Sequence, residues 1–191
     1  SFRPHISCVV SSCFYQLMQL KDSMKSLPVD TAKTIMNCFV ISRIDYCNSL
    51  LAGCPQYSLD RLQRVMNAAA RMLCGAGSRA HVSHLLHKLH WLRISQRIDY
   101  KLCLLVYKAL HGLAPSYLSE LCHTLSNDPG RKYLRSAANC DLDYPDTNTK
   151  FGDRAFAVAG PRAWNNLPPH TRSTSSIDSF KNKLKTVLFS Y

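Results

Sequence analysis

Apolar residues recur at helical spacing along most of this chain. The most apolar segment, residues 90–121, places Ile94, Ile98, Leu102, Leu105 and Ala109 on one face of a helical wheel and further apolar residues on the other faces. A helix of this kind must be covered by neighbouring elements. Gly112 can end it in the left-handed conformation, and Pro115 suits the start of a short following helix. The pattern therefore predicts one central helix and a short one after it.

Four helices are predicted before the central one. They cover residues 6–20, 31 to about 51, 59–74 and 82–89. Asp30 is the expected N-cap of the second, with Pro28 just outside it. The fourth should pack Leu85, Leu86 and Leu89 against the central helix, with Trp91 as an anchor.

The pattern changes after residue 122. Residues 123–150 contain an Asn-Asp-Pro-Gly turn and loose alternation over residues 133–144, which indicates an irregular segment or a short β-hairpin. Residues 152–165 are predicted to be helical with an interruption at Gly160 and Pro161, and Trp164 should be a core anchor. A final helix is indicated by the Ser-x-x-Asp capping pattern of Ser175 and Asp178.

These elements predict a mainly α fold. We expect a helical bundle in residues 1–125, a loop or linker with a possible short hairpin in residues 126–150, and a C-terminal helical segment, residues 151–191, docked on the first.

Charge narrows the class of partner. The chain has 24 Lys and Arg against 12 Asp and Glu, a net charge of +12. Such an excess favours partners that carry phosphate or anionic lipid. No predicted helix combines a broad basic face with exposed Trp or Phe, so the pattern favours nucleic acid over a membrane surface.

Six basic residues are the candidate nucleic-acid contacts. The polar face of helix 59–74 carries three arginines within an arc of about 80°, and a strip about 40° wide on the central helix carries the other three. Basic side chains aligned on a rigid helix suit phosphate contacts, although a solvated face has the same spacing. The candidates are Arg61, Arg64, Arg71, Arg97, Lys101 and Lys108.

No catalytic or metal site is predicted. His81, His84, His87 and His90 follow at three-residue steps, and the resulting drift of about 60° per step spreads their rings around a helix. Phosphate-loop, nucleophile-elbow and zinc-protease motifs are missing. The Asp141-Leu142-Asp143 triplet is assigned to turn chemistry, without a basic or hydroxyl partner nearby. We therefore expect no cofactor, no small-molecule substrate and no enzymatic activity from this chain on its own.

Cysteine usage bears on the compartment. The nine cysteines form no C-x-x-C pair, and most fall on predicted apolar faces, which favours a reduced, intracellular setting in the nucleus or cytoplasm. No signal peptide and no run of about 18 apolar residues is present, so no membrane span is predicted.

Four long patterns carry a family resemblance. They are SRIDYCNSLLAGCP (residues 42–55), LDRLQRVMNAAARMLCG (59–75), the central stretch 90–121, and FGDRAFAVAGPRAWNNLP (151–168). In this order they resemble the C-terminal part of LINE-type, non-LTR retrotransposon reverse transcriptases. The resemblance implies the thumb and post-thumb region, downstream of the fingers and palm. At residues 145–149 the family's usual basic run is replaced by PDTNT.

The resemblance also explains the missing catalytic residues. The family's polymerase carboxylates lie in a Tyr/Phe-Ala-Asp-Asp turn of the palm, which is expected before residue 1 and does not occur here. The implied function is a non-catalytic fragment of an RNA-directed DNA polymerase. It would grip the RNA and DNA of the template-primer duplex beside the palm and fingers. The alternative is a domesticated or remnant helical protein-interaction domain without nucleic-acid activity.

Overall fold

The computed structural model describes residues 2–125 and 141–190, and these are mainly helical, which confirms the predicted fold class. The helices are α1 (Arg3–Leu20), α2 (Val29–Met36), α3 (Ser42–Asp45), α4 (Gln56–Leu73), α5 (Val82–Lys88), α6 (Ile94–Leu110), α7 (Ser116–Ser119), α8 (Phe156–Asn165), α9 (Pro169–Arg172) and α10 (Ile177–Phe189). A π turn (Asn37–Ile41) joins α2 to α3, and short 3-10 helices cover Ser23–Ser26, Asn48–Leu51 and Gly152–Arg154.

Two short strands form the only sheet in the part of the chain described. Strand β1 (His123–Thr124) pairs antiparallel with β2 (Leu142–Asp143), so that His123 lies opposite Asp143. The predicted Asn-Asp-Pro-Gly turn and residues 133–140 of the predicted hairpin lie outside the described residues.

The chain divides into two compact units, Ser1–Arg97 and Ile98–Tyr191. The boundary falls inside α6, the predicted central helix. The division that we expected from the sequence, at residues 125 and 150, stays a prediction.

The first unit is built around α1 and α4. These helices pack against each other, and the continuous helical run of residues 29–45 packs on α1 through its π turn. The Cys13 thiol of α1 lies 3.8 Å from the Val40 carbonyl oxygen in that turn. Helix α5 packs against α4, with Leu86 and Leu89 buried, and its predicted packing on the central helix stays a prediction.

The helix predicted for residues 31 to about 51 is shorter than expected. It ends at Asp45, because Tyr46 is extended and Cys47 takes the left-handed conformation with φ 51°. At its start, Pro28 and not Asp30 occupies the N-cap position, and the Pro28 carbonyl accepts the first helical hydrogen bond from the Ala32 N–H at 2.9 Å. Asp30 lies in the first turn, where a carboxylate still complements the helix dipole.

The second unit is organised by aromatic packing on the C-terminal part of α6. The rings of Tyr107 and Phe180 stack at 4.3 Å between centroids, and Trp164 meets Phe180 at 5.7 Å. The Tyr107 hydroxyl donates a hydrogen bond to the Ser175 carbonyl at 2.9 Å. Trp164 is 1% exposed, which confirms that it is a core anchor.

Helix α8 continues through Gly160 and Pro161, so the predicted interruption is wrong. An interior proline removes one backbone hydrogen bond and crowds the carbonyl one turn earlier, yet this helix is not broken. Both residues are buried, and the surface of Gly160 faces Val106 of α6 and the Phe156 ring. Tertiary packing therefore stabilises a helix that the local sequence opposes.

Two further local predictions are corrected. Helix α10 has Ser176 at its N-cap, with no side-chain capping bond, so the predicted Ser175 box does not form. Asp141 pairs with Arg172 rather than standing without a basic partner. The next residue, Leu142, belongs to β2, and the Asn165 amide holds its backbone through two hydrogen bonds of 2.9 Å.

We predict that Gly160→Val will destabilise the chain by about 2 kcal/mol, because a side chain forced into a packed core displaces its neighbours. A Cβ atom at this position would lie 3.0 Å from the Phe156 ring and 3.1 Å from Val106 Cγ2. Urea unfolding followed by circular dichroism measures the change. Gly77→Val is the matched control, since nothing lies within 4 Å of a Cβ there. Equal effects of both substitutions would contradict the packing argument.

Candidate nucleic-acid interface

Helix α4 separates apolar from basic residues as the sequence predicted. Its buried face includes Leu62, Val65, Met66, Ala69 and Ala70, each no more than 2% exposed. The arginines lie on the other side, at half-buried or exposed positions. Burial of one face against α1 thus determines which face meets solvent.

The three arginines of α4 differ in how far they are engaged. Arg64 is exposed, and no hydrogen bond or ion pair holds its guanidinium within the part of the chain described. Arg61 is half-buried and donates to the Ser7 hydroxyl of α1 at 3.0 Å. Arg71 is half-buried, donates to the Ala80 carbonyl at 3.3 Å, and has a buried Nε without a partner. Arg64 is therefore the most accessible of the three.

Arg97 is held in a bidentate ion pair that the sequence did not indicate. Its Nε donates to Asp45 Oδ1 at 2.7 Å, and its Nη2 contacts Asp45 Oδ2. The two side chains are only 16% and 33% exposed, and the Asn48 amide also donates to the Asp45 carboxylate. A phosphate contact by Arg97 would require this pair to open. Its partner is 52 residues away in sequence, beyond the reach of helical spacing arguments.

The remaining candidates belong to the second unit. Lys101 is exposed and Lys108 is partly exposed on α6. Arg61, Arg64 and Arg71 thus lie on one helix of the first unit. Lys101 and Lys108 lie on α6, within the second unit Ile98–Tyr191.

Two basic residues that our sequence interpretation missed lie in the first unit. The guanidinium of Arg3, at the start of α1, lies 5.3 Å from the centroid of the half-exposed Tyr57 ring of α4. Arg43 of α3 is exposed and donates to the Ser12 hydroxyl of α1 at 2.8 Å. Only the packing of α1 against other helices reveals these positions, so the sequence offered no direct signal.

The described residues hold no group of three or more His, Cys, Asp or Glu side chains that is arranged to bind a metal ion. His81, His84 and His87 are exposed, and His90 has a left-handed backbone with φ 55°.

Burial raises the pKa of the Cys103 thiol well above its usual range. The eight cysteines in the described ranges are all free thiols. Within the same ranges, no helix has the length and apolar character needed to span a bilayer.

No family model, curated protein or solved structure matches this chain.

We predict that the Arg97–Asp45 pair contributes to stability rather than to ligand binding. Arg97→Ala should cost about 2 kcal/mol, because it leaves a part-buried carboxylate with fewer hydrogen bonds. A double-mutant cycle with Asp45→Ala, measured by urea unfolding, should give a coupling energy above about 1 kcal/mol. The exposed Lys25–Asp22 pair is the control and should show no measurable coupling. Additive effects at Arg97 and Asp45 would contradict this role.

Proposed function

We propose that this chain is the non-catalytic thumb and post-thumb region of a LINE-type reverse transcriptase, an RNA-directed DNA polymerase. It grips the RNA/DNA template-primer beside palm and fingers that its sequence does not include. Support comes from the four ordered sequence patterns, the net charge of +12, and the helical character of the chain. A thumb region of this kind would bind its template-primer in the nucleus or cytoplasm, where template RNA and target DNA are found.

The mechanism requires only shape and charge. Lysines and arginines neutralise phosphates and release counterions, which gives affinity with little sequence preference. Hybrid duplexes are recognised through backbone geometry, because side chains cannot read a deep and narrow major groove. Rigid helices suit this task, since they keep charged groups at fixed spacing along a phosphate chain.

One observation carries the proposal from the structural side. Arg64 is exposed on a helix whose opposite face is buried, and Arg61 precedes it by about one helical turn. The backbone that carries the Arg64 guanidinium is already ordered as a helix. Binding of a phosphate therefore does not have to include the free-energy cost of ordering that backbone.

We predict that the purified chain binds an RNA–DNA hybrid with steep salt dependence. In fluorescence anisotropy, the slope of log affinity against log salt concentration should be about −4 or steeper, which corresponds to about four or more neutralised phosphates. A folded, monomeric sample that shows no binding at low salt would overturn the proposal.

We also predict that Arg64→Ala weakens binding equally on hybrids of different sequence. The salt slope should become flatter by about one unit, since one phosphate contact is lost. Lys21→Ala removes the same charge from an exposed position outside α4 and is the matched control. If both variants weaken binding to the same degree, the effect belongs to net charge and not to the α4 face.

A second candidate function is a helical protein-interaction domain. It is favoured by apolar side chains on the surface of α1, where Met18 is 75% and Tyr15 60% exposed. The binding measurement separates the two functions, because an interaction domain need not show salt-dependent affinity for a hybrid.

A further inference from the structure

A small pocket opens where α1, α3 and α4 meet in the first unit. Its apolar lining includes Ile6 of α1, Ile44 of α3 and Leu62 of α4, all of them buried. Its cavity volume is only about 10 Å³, room for about one water molecule. The pocket is therefore a shallow depression whose floor does not admit a ring, so that a flat ligand would be bound by the side chains of its rim.

The open side of the pocket carries one aromatic ring, one imidazole and one guanidinium. Tyr46 is 73% exposed, and His5 and Arg43 are exposed beside it. Among residues 2–125 and 141–190, the Arg43 guanidinium makes one side-chain hydrogen bond, to the neutral Ser12 hydroxyl, and no carboxylate there compensates its charge. No carboxylate lines the pocket. The nearest acidic residue in sequence, Asp45, is engaged by Arg97.

The backbone at this site is unusual. Helix α3 ends at Asp45, Cys47 adopts a left-handed conformation with φ 51°, and the following 3-10 helix returns Leu51 to the pocket. A residue other than Gly, Asn or Asp in this conformation carries a conformational cost, and such costs cluster at functional sites. This reversal leaves Tyr46 at the helix end, where its ring is largely uncovered.

We propose that the rim of this pocket binds one unpaired nucleotide of single-stranded RNA or DNA. The base stacks on the exposed Tyr46 ring, and the attached phosphate is held by Arg43 and His5. Stacking on an aromatic side chain accepts any base, and an adjacent cation holds the backbone. This inference rests on the proposed function in taking nucleic acid as the ligand, and it adds a single-strand site distinct from the duplex-binding face of α4.

Charge selects a nucleotide over an apolar peptide side chain. An apolar peptide anchor would need a deeper apolar cavity than this one, whereas a nucleotide uses the exposed ring and the Arg43 guanidinium together. The net charge of +12 further favours a polyanion over a neutral segment.

The test compares two probes on the same protein. One is a fluorescein-labelled oligouridine of about 12 nucleotides, within the range of known single-strand sites, and the other is an RNA–DNA hybrid of equal length. Tyr46→Ala should weaken oligouridine binding about tenfold or more while hybrid binding stays unchanged. Tyr46→Phe keeps the ring and should stay within about twofold of the wild type. Tyr15→Ala removes another exposed tyrosine and is the matched control.

Arg43→Gln probes the phosphate contact separately. It should weaken oligouridine binding and flatten its salt slope by about one unit. Binding of the hybrid should change less than binding of the oligouridine, because the arginines of α4 remain.

Each pattern of results has one meaning. If the hybrid binds but Tyr46→Ala leaves oligouridine binding unaltered, this inference is overturned and the proposed function stands. If oligouridine binding depends on Tyr46 but the hybrid does not bind, the pocket is supported and the duplex grip fails. If neither probe binds, both are overturned. Binding of a glutamate-rich, leucine-containing peptide that depends on Tyr46, without oligouridine binding, would assign the pocket to a protein partner and overturn the nucleotide site.

Discussion

Burial of the apolar face of α4 is the constraint on which the first unit depends. Leu62, Val65 and Met66 are almost completely buried, and burial of each such side chain contributes about 1.5–3 kcal/mol. The small Ala69 and Ala70, also buried, let a neighbouring helix approach closely. This one interaction fixes the rotation of the helix about its axis. It therefore also fixes which direction the arginines face.

The same reasoning separates basic residues that stabilise the protein from those available to a ligand. Arg97 and Arg172 are cationic in the sequence, yet each is paired with a carboxylate and largely withdrawn from solvent. Arg64 and Lys101 have the same formal charge and remain exposed. Net charge indicates a class of partner, but only the three-dimensional partners of each side chain show which cations are accessible.

Local patterns predicted the helices and their faces well, because periodicity, helix-ending glycines and prolines act within a few residues. Gly112 does take the left-handed conformation at φ 68°, and the buried stripe of α6 includes Ile94, Ile98 and Leu102. Long-range contacts escaped prediction. The Arg97–Asp45 pair and the packing of Gly160 on Val106 join residues more than 50 positions apart, and no spacing rule connects them. Half of the candidate site, the exposed α4 face, was thus readable from sequence, whereas Arg3, Arg43 and the pocket were not.

The π turn at Asn37–Ile41 has a consequence for the register of the chain. In a π turn the backbone hydrogen bond spans five residues instead of four, and each residue turns an α-helix by about 100°. Loss of a single residue here would allow a regular helix to form locally. The four residues left would turn the chain by about 400°, close to the rotation of the present π turn, so Ile44 would stay in the core. The π turn therefore accommodates one extra residue without changing the phase of α3, and this part of the chain tolerates the loss of one residue more readily than a regular helix does.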